Sequence, residues 1–253
     1  MAQREQPVTA LSWMLPRPVR RRIARTARAL TRRPPVGKVA FGDLRRLKPI
    51  SADWGFDRGT PIDRYYIHRF MTRHTGDVRG RVLEVGTDAM TRQYGGDRVT
   101  QGDVLHVADD GPPVTIVADL TDGAAIPEAA FDCVIVTQTL HVLYDVPGVI
   151  RTLHRILAPG GAALVTVPGI TKISRHDMDR WGQYWCFTTK SARRLFETCF
   201  PPAGVTVQAM GNVLAATAFL QGIAAEELTD AELEAHDPDF ETVIGIRAVR
   251  PEN

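Results

Sequence analysis

Residues 131–168 read FDCVIVTQTLHVLYDVPGVIRTLHRILAPGGAALVTVP, and the order of patterns in that stretch decides the fold class. FDCVIVTQ (131–138) is a short apolar run of strand length. Asp145 stands at a helix-capping position, and Val146 to Leu157 carries apolar residues at helical spacing. Ala158-Pro159-Gly160-Gly161 marks a turn, after which AALVTVP (162–168) forms a second apolar strand. Strand, helix and strand in succession imply a parallel pair joined by a right-handed crossover.

The pattern extends in both directions. Upstream, RVLEV (81–85), RVT (98–100) and VTIVADL (114–120) read as three more strands; downstream, VTVQAM (205–210) and TVIGIRAV (242–249) read as two. An insert with helical spacing, VLAATAFLQGIAAEEL (213–228), and a second short helix precede the last strand. The sum is a doubly wound, Rossmann-like α/β sheet. Before it, Thr60 as N-cap, Pro61 at the first helical position and Asp63 predict a helix PIDRYYIHRFMTRH, ended by Gly76 and Gly80.

Composition narrows the function class. The chain has 253 residues, and its 44% hydrophobic and 24% charged content is ordinary for a globular protein. No apolar run approaches the roughly 20 residues that span a bilayer. Leu11 to Leu15 precede the arginines, the reverse of a signal peptide. Cys133, Cys186 and Cys199 are too few and too scattered for a disulfide framework or a zinc site, so free thiols, a cytoplasmic location and no metal are expected.

Charge is unevenly placed. Residues 1–38 hold ten Lys/Arg against Glu5, which leaves 21 basic and 28 acidic residues in the remainder. An acidic body argues against nucleic acid as the principal partner. Residues 13–33 read as a basic amphipathic helix, with Val19, Ile23, Ala27 and Leu30 on one side. Two readings stay open for it: attachment to an anionic membrane surface, or a solvated or protein-docked extension. Pro34-Pro35 and Gly37 separate this extension, 1–38, from the main domain at 39–253.

In an open α/β sheet the ligand sits at the carboxyl ends of the strands. Gly86 follows the first strand in Glu84-Val85-Gly86-Thr87-Asp88 and lets the turn approach a ligand. Asp103, ending RVTQGD, is placed to accept from the hydroxyls of an adenosine ribose, and Asp119, after the third strand, from an adenine amino group. Thr137 and Gln138 follow the fourth strand.

GRVLEVG…RVTQGD…VADLTD…FDCVIVTQTLHVLYDVPGVIRTLHRILAPGG resembles the core of class I S-adenosylmethionine-dependent methyltransferases, over about residues 80–168. Within them it is similar to the small-molecule group whose helix ends in hRvLkPGG. The resemblance implies a seven-stranded sheet with an antiparallel last strand, S-adenosylmethionine as methyl donor and S-adenosylhomocysteine as product. It places Glu84 and Gly86 beside the methionine and ribose portions, Asp103 on the ribose, Asp119 with Leu120 at the adenine, and Thr137–Gln138 at the methionine end. One departure stands out. The family's E-x-G-x-G-x-G is here Glu84-Val85-Gly86-Thr87-Asp88-Ala89-Met90, and Asp88 is placed to bind the methionine ammonium.

For the chemistry, His141 is the first general-base candidate, and His176, Asp177 and Asp179 in SRHDMDRWGQYW form a second set. Trp181, Tyr184 and Trp185 are candidate pocket walls. Residues 58–75, including Tyr65 and Tyr66, are expected to lid the site, with 169–188 and 211–238 around the acceptor. RGTPIDRYYI resembles methyltransferases that accompany glycosyltransferases in polysaccharide and natural-product pathways, which implies a sugar or glycosylated acceptor. The expected reaction is methylation of a hydroxyl or amine of a small molecule. The altered first loop leaves a non-methyl reaction such as a cyclisation open, and the arginine-rich segment leaves a non-catalytic accessory role open.

Overall fold

A computed structural model describes residues 16, 18–19, 34–108 and 113–252. The predicted helix over 13–33 therefore lies almost wholly outside the described residues. The chain divides into two compact units, 1–47 and 48–253. In the first, Gly42–Leu44 forms one turn of 3-10 helix.

The second unit holds seven strands: β1 Gly80–Val85, β2 Val99–His106, β3 Ile116–Val117, β4 Phe131–Thr137, β5 Leu157–Pro168, β6 Val205–Met210 and β7 Val243–Val249. They form one sheet in the order β3-β2-β1-β4-β5-β7-β6. Strands β1 to β5 pair in parallel, and β7 runs antiparallel between β5 and β6. The order reverses between β1 and β4, which opens a crevice at their carboxyl ends.

Helices α1 Ile62–Arg73, α2 Ala89–Gly95, α3 Val146–Ile156, α4 Arg175–Arg180, α5 Thr189–Phe196, α6 Val213–Gln221 and α7 Asp230–Glu234 surround the sheet. In α3 the residues Val146, Val149, Ile150, Leu153 and Ile156 recur at helical spacing, and all are buried. The Asp145 carboxylate accepts from the Gly148 N–H at 2.9 Å, so the predicted cap is present. Helices α3 and α5 bury their apolar stripes on one face of the sheet. Helices α1, α2, α6 and α7 cover the other. Each fully buried large side chain in these layers stabilises the fold by about 1.5–3 kcal/mol.

The PGG turn is a structural device. Gly160 has φ 76°, and a Cβ on Gly161 would lie 2.9 Å from the Phe131 carbonyl oxygen. The chain can thus bulge at this point and enter β5 tight against β4, where the register shifts between Phe131 and Cys133.

Several expectations change. β2 continues to His106 instead of stopping at Thr100, and β3 is confined to 116–117. Thr60 does not cap α1; its hydroxyl donates to Glu226 at 2.6 Å, and Pro61 holds the N-cap position. The insert helix ends at Gln221. Helices α2, α4 and α5 were not expected.

Candidate active site

Two adjoining cavities open at the carboxyl ends of β1, β2 and β4, and Val85 lines both. The first, of about 440 Å³, is lined by Gly86, His106, Asp119, Leu120, Leu143 and Trp181, among others. The second, of about 310 Å³, is lined by Trp54, Asp63, Arg64, Thr137, Gln138, His141, Lys172 and Asp177, among others.

The turn between them is built by β1. Gly86 adopts φ 84°, its N–H donates to Leu105 O at 2.9 Å, and nothing lies within 4 Å of where a Cβ would project. A ligand can therefore approach this backbone closely. Glu84 faces the opposite way. It is 1% exposed. Its carboxylate accepts from the N–H groups of Met90 (3.1 Å) and Thr91 (2.8 Å) and from the Thr91 hydroxyl (2.8 Å). Burial raises its pKa, with the bonds from Thr91 opposing. Glu84 thus fastens the N-terminus of α2 to β1 and lines neither cavity. Asp88 pairs with Arg92 on α2 and lines neither cavity.

Asp103 likewise lines neither cavity. It lies inside β2, three residues before the strand end, where Arg81 Nε (2.8 Å), Thr115 Oγ1 (2.9 Å) and Gln101 Nε2 (3.1 Å) donate to it. At the end of β2, next to Gly86 and Asp119, stands His106, edge-on to Trp181 with ring centroids 6.3 Å apart. Two residues account for the difference: Val104 and Leu105 continue the strand past the acid. Asp119 is placed in the first cavity. One of its oxygens accepts from the Thr121 N–H at 2.7 Å, and the other has no described partner. Leu120, 3% exposed, adds an apolar wall.

In the second cavity Gln138 bends the chain at φ 47°, a conformation rare for a non-glycine residue, and its N–H is held by Thr166 O at 2.9 Å. His141 follows in a single 3-10 turn and is 8% exposed. Burial lowers its pKa, partly opposed by Asp177, so the neutral imidazole is favoured. Gln138 Nε2, His141 Nδ1 and Thr242 Oγ1 are buried polar atoms without a partner among the described residues, and all three residues line this cavity. Asp63 is half-buried here, and burial raises the pKa of its carboxyl.

A loop of residues 51–59 closes one side. Ser51 Oγ donates to Asp57 and accepts from the Asp53 and Gly55 N–H groups, which fixes Trp54 at φ 58°. The Trp54 ring packs 5.3 Å from Phe219, and Lys172 Nζ lies 4.2 Å from the ring centroid. Burial lowers the Lys172 pKa, with Asp53 opposing.

Other expected residues lie elsewhere. The side chains of His176 and Asp179 on α4 are exposed and line neither cavity; Asp177, between them, does. Tyr65 donates to Glu234 (2.7 Å) and Tyr66 to Leu233 O (2.9 Å), both away from the crevice. Burial and then Glu234 push the Tyr65 hydroxyl up to about 12. Trp181 lines the first cavity instead of the acceptor side. Tyr184 and Trp185 are exposed and pack on Tyr144. Trp54, Lys172, Gln183 and His106 had not been anticipated. Among the described residues no cluster of three or more His, Cys, Asp or Glu is arranged to hold a metal.

A Gly86 turn between two cavities at the β1/β4 reversal, in a seven-stranded sheet with β7 antiparallel, defines a class I methyltransferase fold. A family described as a methyltransferase domain matches residues 62–198, more than half of the chain, and the chain belongs to that family. The cofactor of the class is S-adenosylmethionine. No curated protein matches the chain. Among solved structures, an S-adenosylmethionine-dependent methyltransferase from Archaeoglobus fulgidus is 11% identical, covering 74% of this chain and 93% of its own, with a TM-score of 0.48. Phosphoethanolamine N-methyltransferase 2 of Haemonchus contortus, in complex with S-adenosyl-L-methionine, is 14% identical over 85% of this chain and 61% of its own, with a TM-score of 0.46. The [4+2]-cyclase SpnF is 19% identical over 78% and 85%, with a TM-score of 0.47.

Proposed function

We propose that this enzyme transfers the methyl group of S-adenosylmethionine to a hydroxyl or amine of a small molecule, a sugar or glycosylated compound first, with His141 as general base. The observation that carries this reading is the set of partnerless buried polar atoms on Gln138, His141 and Thr242 in the 310 Å³ cavity. Such atoms are costly unless a ligand or an ordered water satisfies them.

The residues present fit the cofactor. The 440 Å³ cavity is open above Gly86 and offers Leu120 as an apolar wall, Trp181 as an aromatic one, and Asp119 with a spare oxygen for an amino group. His106 replaces Asp103 as the side chain for the ribose hydroxyls. Thr87, Gln138 and Arg64 are the groups for the charged amino-acid end. When bound, S-adenosylmethionine supplies an activated methyl on sulfur.

The protein's share is positioning. Asp63, Asp177 and Gln183 offer hydrogen bonds to a polyol, and Trp54 an aromatic face. Trp54 and Phe219 exclude water from one side. Neutral His141 would take the proton that the acceptor loses. Holding acceptor and methyl in line provides most of the remaining acceleration.

Full-length enzyme, S-adenosylmethionine and a panel of monosaccharide, glycoside and amine acceptors analysed by mass spectrometry test the reading. A methylated sugar hydroxyl is expected. Methylation of amines alone would remove the sugar assignment, and cofactor binding without any methylated product would remove the reaction.

A further inference from the structure

We propose that the free edge of β6 docks an acidic, extended segment of another protein, which joins the sheet as an added strand. Among the described strands β6 pairs only with β7. Antiparallel pairing on one side leaves alternate backbone N–H and C=O groups pointing outward from the other.

A cavity of about 730 Å³ follows that edge. Five consecutive residues, Val207 to Gly211, form its floor. This cavity shares no lining residue with either cavity of the methyl-transfer crevice. A space floored by five consecutive residues along one strand edge matches an extended backbone better than a compact small molecule.

Charge selects the occupant. Arg69 and Arg73 of α1 line the cavity from one face of the sheet, and Lys190 and Arg193 of α5 from the other. Three carboxylates oppose these four cations. Glu234 pairs with Arg69 at 2.9 Å and with Arg73 at 3.9 Å, Glu197 pairs with Arg193 at 3.4 Å, and Glu241 accepts from the Thr189 N–H and hydroxyl. Lys190 makes no ion pair with a described residue, so the groove carries an excess of positive charge.

The pleat matches this arrangement. Val207 and Ala209 pack into the layer that contains α5, and Met210 into the layer that contains α1. An added strand alternates in the same way. Its carboxylates would meet Arg69 and Arg73 on one face and Lys190 and Arg193 on the other. Arg193 Nη1 donates to Val205 O at 3.1 Å, which occupies the start of the edge and sets the docking stretch from Val207 onward.

Charges that merely protect an edge sit on the edge strand itself. VTVQAM has none; the cations come from the flanking helices. A second copy of this chain would bring like charges together across the pair, and the arginine-rich segment 1–38 has the wrong sign.

The test uses the full chain and a fluorescein-labelled octapeptide of Glu-Glu-Val-Val repeats, which places carboxylates on both faces of an added strand, read by fluorescence anisotropy. Binding that weakens with salt, with slowed hydrogen exchange at β6 amides, is the expected result. A peptide N-methylated at alternate residues keeps the charge but cannot add as a strand, and it should bind at least tenfold more weakly. The Lys/Val peptide should not bind. Arg73→Ala with Lys190→Ala should weaken binding about tenfold while S-adenosylmethionine affinity stays unchanged, which certifies the fold. Equal binding of the N-methylated peptide, or full displacement by inorganic pyrophosphate at comparable concentration, would make the groove a plain anion site. Dimers with protected β6 amides in the absence of peptide would make it a self-interface. Either result, or no binding of the Glu/Val peptide, overturns the proposal.

Discussion

Replacing Glu84 by Ala removes the acceptor for three donors at once: the Met90 and Thr91 N–H groups and the Thr91 hydroxyl. The hydroxyl can rotate, but the two N–H groups are fixed by the first turn of α2, in residues 8% and 5% exposed. Each buried donor left unsatisfied costs about 1–3 kcal/mol, so the expected loss is about 4 kcal/mol. That is a large share of the 5–15 kcal/mol of a typical domain. With a urea slope of about 2–3 kcal/mol/M, the midpoint should fall by about 1.5 M. Glu84→Gln retains one accepting oxygen for Thr91 and strands one donor, so it should cost about 1–2 kcal/mol. The folded-state pKa of Glu84 is raised, so the folded protein holds that proton more tightly than the unfolded chain. Its contribution is full below the unfolded value of about 4.5 and declines as pH rises through the folded value; Glu84→Gln should abolish that slope. Urea denaturation at several pH values measures both effects. A midpoint within about 0.3 M of the wild type for Glu84→Ala would refute the fastening role.

Three further outcomes follow from the same geometry. Asp103→Asn should leave S-adenosylmethionine affinity within about twofold by calorimetry and lower stability by about 1–2 kcal/mol, because its partners are Arg81, Gln101 and Thr115; a large loss of affinity at unchanged stability would restore it to the ribose. Asn212→Ala should destabilise by about 2–4 kcal/mol in thermal or urea unfolding, since the side chain caps α6 through Leu214 and Ala215 and ties α7 through Glu232 O and Ala235 O. For a hydroxyl acceptor, His141→Asn should lower kcat by about 10²–10⁴-fold with little change in cofactor affinity. The wild-type kcat/KM should be flat through neutral pH, falling only below the usual histidine value of 6.5, because burial lowers this pKa. An acid limb that persists in His141→Asn would assign the base elsewhere.

The central βαβ unit was legible because α3 buries apolar residues at helical spacing and β4 is a short continuous apolar run buried on both faces, with Asp145 and Pro159-Gly160-Gly161 as punctuation. β2 was read short because Thr100, Gln101 and Gly102 are exposed, and its apolar half begins only at Val104. Gly86, Asp119, Gln138 and His141 could be placed because strand ends in this topology converge on one crevice. Asp63, Arg64, Trp54 and Lys172 could not, since they reach it through long-range packing of α1 and two loops. The burial of Tyr66 was readable. Ile62, Tyr66 and Phe70 repeat every four residues, so Tyr66 belongs to the buried stripe and not to the ligand-facing side.

The placement of β7 has a consequence for synthesis on the ribosome. β6 is translated before β7, yet its only sheet partner among the described strands is β7, and β7 also completes the second side of β5. Until residues 243–249 leave the exit tunnel, the nascent chain carries an unpaired strand and a half-covered β5, both open to misassociation. The halves upstream of Pro168 can pair as they emerge, whereas the last third must wait and then close in one step. Ribosome-stalled chains ending near residue 240 should therefore be chaperone clients, and exit of residues 243–249 from the tunnel should convert the chain abruptly to a protease-resistant state.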